Sequence, residues 1–145
     1  MNLFDPISTI MTKGVITLSP VETLITANEI FAEKRIHHIP IVEKGSLVGM
    51  ISKSDILLFK RGYASSSEDT EEDKRRLASC QIKDVMTKKL ATLESTDRIN
   101  IALEVFNKNL FHALPVTENG VLVGIVTTFD IIKQLSIDEE VVAKY

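Results

Sequence analysis

The sequence predicts an α+β fold built from two copies of a β-α-β-β-α unit. Shifted by 75 residues, the chain aligns with itself without a gap, with 17 identities over the 48 positions that begin at Met11. Each copy contains an apolar segment with the spacing of an α-helix. Each copy then contains two short apolar runs around a glycine-containing turn, which is typical of a β-hairpin. A repeat that keeps its register over this length indicates that one structural unit occurs twice.

The repeat divides the chain into four parts. We expect a first repeat at residues 6–60, a charged linker insert at 61–81, a second repeat at 82–136 and a C-terminal tail at 137–145. The insert has a serine run followed by acidic and basic residues. This composition favours a solvated loop that leads into a short charged helix.

Each repeat begins with a short edge strand, at residues 14–18 and 89–93. A helix follows, for which Ser19 is a suitable N-cap, Pro20 a suitable first residue and Glu22 the partner in a capping box. In the second copy Ser95 or Thr96 takes the place of the cap. The apolar face of this helix consists of Leu24, Ala27, Ile30 and Phe31 in the first copy and of Ile99, Ala102, Leu103, Val105 and Phe106 in the second.

The hairpin of each repeat is expected to turn at residues 43–45 and 118–120, and a last helix follows at 54–61 and 128–136. These last helices are apolar around more than one face, so both sides must be covered. We therefore predict a homodimer formed by the helices at residues 56–60 and 131–135, with help from the first helix of each repeat. The alternative is that the insert and the tail cover this surface.

The composition excludes several other classes of protein. The 145-residue chain has a formal net charge of −3 and no long apolar run, so we expect neither nucleic-acid nor membrane binding. The single Cys80 cannot form an internal disulfide or supply a multi-cysteine metal site. No secretory signal pattern is visible, and we expect a cytoplasmic protein.

A glycine, a hydroxyl and an aspartate recur at the same spacing in both repeats. They are Gly49, Ser52 and Asp55 in the first copy and Gly124, Thr127 and Asp130 in the second. The hydroxyl and the acid three residues later form a capping-box pattern, which explains them structurally. The same arrangement suits a ligand, because a helix N-terminus binds phosphate and a carboxylate can accept hydrogen bonds from a ribose diol. The glycine allows a ligand to approach the backbone, which capping alone does not require.

These residues resemble the cystathionine-beta-synthase (CBS) domain family. The resemblance rests on Gly-apolar-apolar-Ser/Thr-x-x-Asp, preceded by "HIPIV" or "ALPVT" and by "MT" at the start of each unit, and it covers residues 6–135. Two such domains in tandem form a Bateman module. The resemblance implies a disc-shaped CBS-domain pair with pseudo-two-fold symmetry, packed through its strands. It also implies clefts that bind AMP, ADP, ATP or S-adenosylmethionine.

The resemblance assigns roles to individual residues. Asp55 and Asp130 would hold ribose hydroxyls, and Ser52 and Thr127 would contact phosphate. Apart from the resemblance, Lys13 and Lys53 lie nearest the clefts and would balance a polyphosphate unless they are simply solvated charges. The adenine pocket would be lined by Gly14, Val15, Ile16 and Thr17 and by Lys89, Leu90, Ala91 and Thr92. Another wall of each cleft, the histidine wall, would be formed by His37, His38, Ile39 and Pro40 in the first copy and by His112, Ala113, Leu114 and Pro115 in the second. Because Phe129 replaces Ser54 and can obstruct or reshape its cleft, we expect unequal sites.

The function predicted from these observations is a regulatory module that binds an adenosine nucleotide or S-adenosylmethionine and signals energy or metabolic state. The signal would pass by conformational change to an effector protein or to an output domain outside this chain. The alternative is a ligand-free dimerisation or interaction module with vestigial clefts. We expect no enzymatic activity, no required cofactor and no metal, because the sequence has no apparent nucleophile, metal cluster or phosphate-binding loop.

Overall fold

The structure is a computed structural model that describes residues 1–61, 68–108 and 111–142. Its α-helices are α1 (Leu24–Glu33), α2 (Lys53–Arg61), α3 (Glu71–Ser79), α4 (Ile99–Asn107) and α5 (Thr128–Val142). Its strands are β1 (His38–Glu43), β2 (Ser46–Ser52), β3 (Leu93–Glu94), β4 (Ala113–Glu118) and β5 (Val121–Thr127). Short 3-10 turns lie at Ile7–Thr9 and Ile82–Asp84. The predicted α+β fold with two repeats is confirmed, although the opening strand of the first repeat is reduced to a single bridge.

The chain folds into two compact units that exchange their first segments. The first-repeat unit is Ile16–Leu90, and the second-repeat unit is Met1–Val15 together with Ala91–Tyr145. The start of the chain therefore folds with the second repeat, where Ile7 is fully buried in the core. The corresponding segment of the second repeat folds with the first, where Ile82 is fully buried.

Each unit has its own apolar core. Fully buried side chains include Leu24, Ile39, Ile41, Ile51 and Ile56 in the first-repeat unit and Ile7, Ile99, Leu114, Val116 and Val126 in the second. Corresponding helix and strand positions supply most of both sets. The cores follow the helical and hairpin patterns of the sequence, because each element turns one apolar face inward.

Both predicted hairpins are present, and their turns have the expected geometry. Positive φ angles occur at Lys44 (49°) and Gly45 (80°), and at Asn119 (53°) and Gly120 (82°). Two consecutive positive φ angles are characteristic of the type I′ turn that joins twisted antiparallel strands. Each hairpin also has a bulge, which interrupts the register after Ile41 and after Val116.

The predicted edge strands form only at their last residues. Leu18 pairs in parallel with Ile41, and Leu93–Glu94 pairs in parallel with β4. The opposite edge of each hairpin pairs with the exchanged segment, through Thr87 with Met50 in the first-repeat unit and Thr12 with Ile125 in the second. Each hairpin is thus flanked on both sides by short extended segments.

The first helix begins later than predicted. α1 starts at Leu24, although Ser19 does donate its main-chain N–H to Oε2 of Glu22 over 2.7 Å. That bond closes a turn ahead of the helix. The chain then stays extended because the N–H of Leu24 donates to the carbonyl of Cys80 and the N–H of Ile82 donates to the carbonyl of Glu22, both over 2.9 Å. The same shift occurs in α4, where the hydroxyl of Ser95 donates to Glu118 over 2.7 Å.

The predicted helix in the insert is α3, but it is not simply a solvated element. Thr70 and Asp73 form its capping box, and Leu77 is fully buried in the core of the first-repeat unit. α3 packs against α1 and α2. Residues 62–67 of the expected loop lie outside the described residues. α5 continues through most of the expected C-terminal tail, to Val142.

Candidate functional site

The repeated motif of the first-repeat unit forms a complete capping box at the start of α2. The main-chain N–H of Ser52 donates to Oδ2 of Asp55 over 2.8 Å, and the N–H of Asp55 donates to Oγ of Ser52 over 3.0 Å. Both side chains are half-buried. In the described part of the chain, Oδ1 of Asp55 accepts no hydrogen bond, so half of the carboxylate is available to a ligand.

The second-repeat unit has the same box with one additional bond. Thr127 donates its main-chain N–H to Oδ2 of Asp130 over 2.8 Å, and the N–H of Asp130 donates to Oγ1 of Thr127 over 3.2 Å. The hydroxyl of Thr127 also donates to Oδ2 of Asp130 over 2.9 Å. No such bond is found between Ser52 and Asp55 in the described residues. The hydroxyl proton is therefore used internally in one box and not in the other.

The predicted histidine wall adjoins each capping box through the main chain. The first N–H of α2, that of Lys53, donates to the carbonyl of His37 over 2.9 Å, and the N–H of Thr128 donates to the carbonyl of His112 over 3.1 Å. Both histidine residues are exposed. These bonds hold the start of each hairpin against the start of the following helix.

Much of this predicted wall is buried. Residues that lie in the cores or are otherwise inaccessible are Ile39, Pro40, Ala113, Leu114 and Pro115. Their side chains offer a ligand little accessible surface. His37, His112 and the half-buried His38 offer the accessible side chains of this wall. The assignment of the whole wall to ligand binding stays a prediction.

Each predicted adenine-pocket segment is divided along the chain between the two units, at residues 15/16 and 90/91. Ile16 and Thr17 belong to the first-repeat unit, where they precede Leu18, whose N–H donates to the carbonyl of Pro40 over 3.2 Å. Lys89 and Leu90 belong to the same unit, whereas Gly14, Val15, Ala91 and Thr92 belong to the second-repeat unit. In the first-repeat unit, the edge segment and the capping box thus both pair with β1, which contains most of the histidine wall.

The repeated glycine has a structural explanation that the sequence did not reveal. A Cβ atom at Gly124 would lie 2.6 Å from Sδ of Met11 and 2.9 Å from the carbonyl oxygen of Thr12. A Cβ at Gly49 would lie 2.5 Å from Sδ of Met86. The packing of the exchanged segments requires these glycines. A ligand near the backbone is therefore not needed to explain them.

Other reactive groups do not form a second chemical site. Burial, together with nearby Asp84, raises the pKa of the Cys80 thiol, so the thiol is protonated at neutral pH. In residues 1–61, 68–108 and 111–142 no three His, Cys, Asp or Glu side chains are placed to hold a metal ion. Nor do these residues contain a helix long and apolar enough to cross a membrane.

The two units differ at the residues that follow the repeated hydroxyl. Phe129, expected to obstruct or reshape its cleft, is 68% exposed at the start of α5. Its counterpart Ser54 is also exposed, and Lys53 stands where the second-repeat unit has Thr128. The first-repeat unit also has a groove at Asn28, Lys60 and Asp69. No motif in the sequence indicated that groove, because its residues come from α1, from α2 and from the segment before α3.

Comparison with protein families gives two matches, to the family described as CBS domain, at residues 7–62 and 82–137. Inosine-5'-monophosphate dehydrogenase of Thermoplasma acidophilum is 30% identical over 86% of this chain, which spans only 22% of that enzyme. The uncharacterized protein MJ1426 of Methanocaldococcus jannaschii is 30% identical over 89% of this chain and 90% of its own length.

Solved structures show the same fold. The CBS domain of a membrane protein from Sphaerobacter thermophilus has a TM-score of 0.75 at 27% identity and covers 90% of this chain and 88% of its own. The CBS domain pair of protein MJ0100, in complex with 5'-methylthioadenosine and S-adenosyl-L-methionine, has a TM-score of 0.73 at 24% identity, with 93% and 98% covered. CBSX2 in complex with AMP has a TM-score of 0.75 at 20% identity, with 90% and 96% covered.

Proposed function

This chain belongs to the CBS domain family, and on that premise we propose that it is a regulatory module that binds adenosine-containing ligands at its two capping boxes. The observation that carries the proposal is the half-occupied carboxylate of Asp55 and of Asp130, each held at a helix N-terminus by its Oδ2 atom. A ribose diol can donate to the remaining Oδ1 atom while the cap stays intact. The complexes of CBSX2 with AMP and of MJ0100 with S-adenosyl-L-methionine support this class of ligand.

Ligand binding need not compete with capping. An N-cap bond contributes about 1 kcal/mol to stability, and this contribution is kept when the diol donates to Oδ1. Each hydrogen bond from the ligand to the charged carboxylate contributes about 1.5–3 kcal/mol, from which the cost of association is subtracted. The capping box keeps the helix start ordered until a ligand arrives.

We propose that the two sites prefer different ligands. In the first-repeat unit, Ser52 keeps its hydroxyl proton available and Lys53 supplies a positive charge, so the site suits a phosphate group. In the second-repeat unit, the hydroxyl of Thr127 already donates to Asp130, and Thr128 carries no charge. That site suits an adenosyl group without phosphate, such as S-adenosylmethionine.

Isothermal titration calorimetry with AMP, ADP, ATP, S-adenosylmethionine and NADH tests the proposal. We expect saturable binding of at least one adenosyl ligand and a matching rise in melting temperature. A ligand at a hundredfold its dissociation constant adds about 2.7 kcal/mol per site. If none of these compounds binds, the alternative of a ligand-free interaction module with vestigial clefts replaces the sensor. Turnover of ATP beyond stoichiometry would instead support an enzyme.

We further propose that the signal passes to a second protein or to an output domain. A ligand can transmit a signal only if it prefers one conformation of the module over another. In the dehydrogenase of Thermoplasma acidophilum the matching region is 22% of the whole enzyme, which is consistent with a regulatory rather than a catalytic part. We expect the module to act in the cytoplasm, where these ligands are made and used.

The exposed apolar side chains of the last helices support a homodimer. Leu57 and Leu58 of α2 and Ile132 and Leu135 of α5 are exposed, with Ile132 59% accessible. Ile56 and Ile131, which belong to the same predicted interface, are buried within their own units. α3 already packs against α2, so the insert covers part of that helix. We therefore place the main dimer contact on α5.

A further inference from the structure

The first-repeat unit contains a groove between α1 and α2 that shares Lys53 alone with the proposed adenosyl site. The groove is half open to solvent and has a volume of about 300 Å³. Its apolar floor is formed by Phe31 and Ala32 of α1 and by Ile56 and Leu57 of α2. Asn28 and Ala32 lie four residues apart on α1, and Lys53, Leu57 and Lys60 lie four and three apart on α2, so the lining residues come from one side of each helix. Its ends are polar and carry charge.

One end of the groove already holds a carboxylate. Nζ of Lys60 lies 2.6 Å from Oδ1 of Asp69, and Nδ2 of Asn28 donates to Oδ2 over 2.8 Å. The Lys60 side chain is largely buried. The hydrogen bond from Lys60 lowers the pKa of Asp69, so the carboxylate is charged at neutral pH. Lys60 and Asn28 therefore bind a carboxylate at this end, and Asp69 of the insert supplies it.

The other end of the groove carries an unbalanced positive charge. Lys53 lines the cavity seven residues before Lys60, which corresponds to about 10 Å along the helix. Among the described residues Lys53 has no acidic partner within ion-pair distance. With Asp69 neutralising one of the two lysines, the groove keeps a net charge of one positive unit over an apolar floor.

We propose that this groove is a binding site for a small organic anion with a carboxylate or phosphate head and a compact apolar body. The head pairs with Lys53, and the body lies on Ala32, Ile56 and Leu57. Ligand pockets range from about 300 Å³ upward, so the cavity suits a body of roughly one ring. The site does not use the carboxylate of Asp55, although it shares Lys53 with the proposed adenosyl site.

Titration of the ¹⁵N-labelled full chain with 3-phenylpropionate and with phenyl phosphate tests the proposal by NMR. We expect saturable shifts of the amide resonances of Ala32 and Leu57, with at least about tenfold weaker binding of inorganic phosphate. The two probes distinguish a carboxylate from a phosphate head. Equal affinity for inorganic phosphate would overturn the amphipathic class of ligand. If the groove resonances shift on dilution and neither probe binds, a second copy covers the groove and the proposal fails.

Variants then separate this groove from the adenosyl site. Ala32→Phe fills the floor and should abolish probe binding without affecting the adenosyl ligand. Lys53→Met at its exposed position should weaken probe binding at least about tenfold, and it should weaken phosphate-bearing nucleotides as well, because both proposed sites use this lysine. Lys83→Met, an exposed lysine of the same unit outside the groove, should leave it unchanged. Asp55→Asn should impair the adenosyl ligand but not the probes. Unchanged probe affinity in both Ala32→Phe and Lys53→Met would overturn the proposal.

Discussion

A Cβ atom placed on Gly49 would lie 2.5 Å from Sδ of Met86, in the segment that the second repeat contributes to the first-repeat unit. Gly124 and Met11 have the same relationship at 2.6 Å. Each "MT" segment therefore fits its partner hairpin only where the hairpin has no side chain. The repeated glycine and the repeated methionine are two halves of one packing contact.

Replacing either glycine by alanine should destabilise the protein. We expect Gly49→Ala and Gly124→Ala to cost about 1–3 kcal/mol, the usual range for overpacking. The two costs should be similar, because each new Cβ would also lie close to a main-chain carbonyl oxygen, 3.0 Å from that of Thr87 for Gly49 and 2.9 Å from that of Thr12 for Gly124. Urea unfolding measures both values.

A double-mutant cycle identifies the cause. Met86→Ala should make room for the new methyl group, so Gly49→Ala should cost less in that background than in the wild type. Equal costs in both backgrounds would show that the methionine is not what excludes a side chain at this position.

The carboxylates of the two capping boxes should control different ligands. Asp55→Asn should weaken AMP binding by about tenfold or more, whereas Asp130→Asn should mainly weaken S-adenosylmethionine. Calorimetry measures both affinities. Asp97→Asn is the matched control, because Asp97 accepts a main-chain N–H from Glu94 over 2.8 Å in a similar turn outside the predicted site. Ligand affinities that are unchanged in both site variants would rule out the ribose assignment.

A charge on the exposed face of α5 should disrupt the homodimer. Ile132→Glu places a carboxylate at a 59% exposed apolar position, and we expect a monomer by analytical ultracentrifugation. Val121→Glu is the control, because Val121 is similarly exposed, at 55%, but lies at the hairpin of the second-repeat unit. A wild type that is monomeric at high concentration, or a dimer that survives Ile132→Glu, would contradict this interface.

The insert helix should contribute to the stability of the first-repeat unit. Leu77→Ala removes a fully buried side chain of α3 and should cost about 2–5 kcal/mol in the free energy of unfolding. Leu58→Ala, at an exposed position of α2, should change the free energy of unfolding by less than about 0.5 kcal/mol. This variant is measured at a protein concentration at which the chain is monomeric. Similar small effects in both variants would mean that α3 is only loosely attached.

The link between Asp69 and Lys60 should stabilise the protein in a pH-dependent way. The hydrogen bond from Lys60 lowers the pKa of Asp69 below its usual 3.8. The ionised carboxylate therefore makes its full contribution to the free energy of unfolding above that pH. It is lost as the pH falls through the lower pKa of the folded state. The stability difference between wild type and Asp69→Asn should therefore be larger at pH 7 than near pH 3, measured by urea unfolding. A constant difference would show that Asp69 acts by packing alone.

Local patterns account for the features that could be predicted from the sequence. The hairpins were predictable because Lys44-Gly45 and Asn119-Gly120 match the turn that twisted strands require. The capping boxes at Ser52 and Thr127 were predictable because a hydroxyl and an acid three residues apart bond across one turn. The start of α1 was not, because pairing with residues 80–82 keeps Glu22 extended, and that pairing joins residues far apart in the chain.

By itself, the sequence determined the repeat, the order of helices and strands, the turn types and the family resemblance. All of these depend on residues within a few positions of one another or on direct comparison of the two copies. Only the tertiary structure decided which hairpin each "MT" segment joins, why Gly49 and Gly124 are glycines, and that Asp69 meets Lys60. The two repeats offer nearly equivalent partners to the "MT" segments, so local preferences cannot choose between them. In the folded chain Ile7 is buried in the core of the second-repeat unit and Ile82 in that of the first-repeat unit.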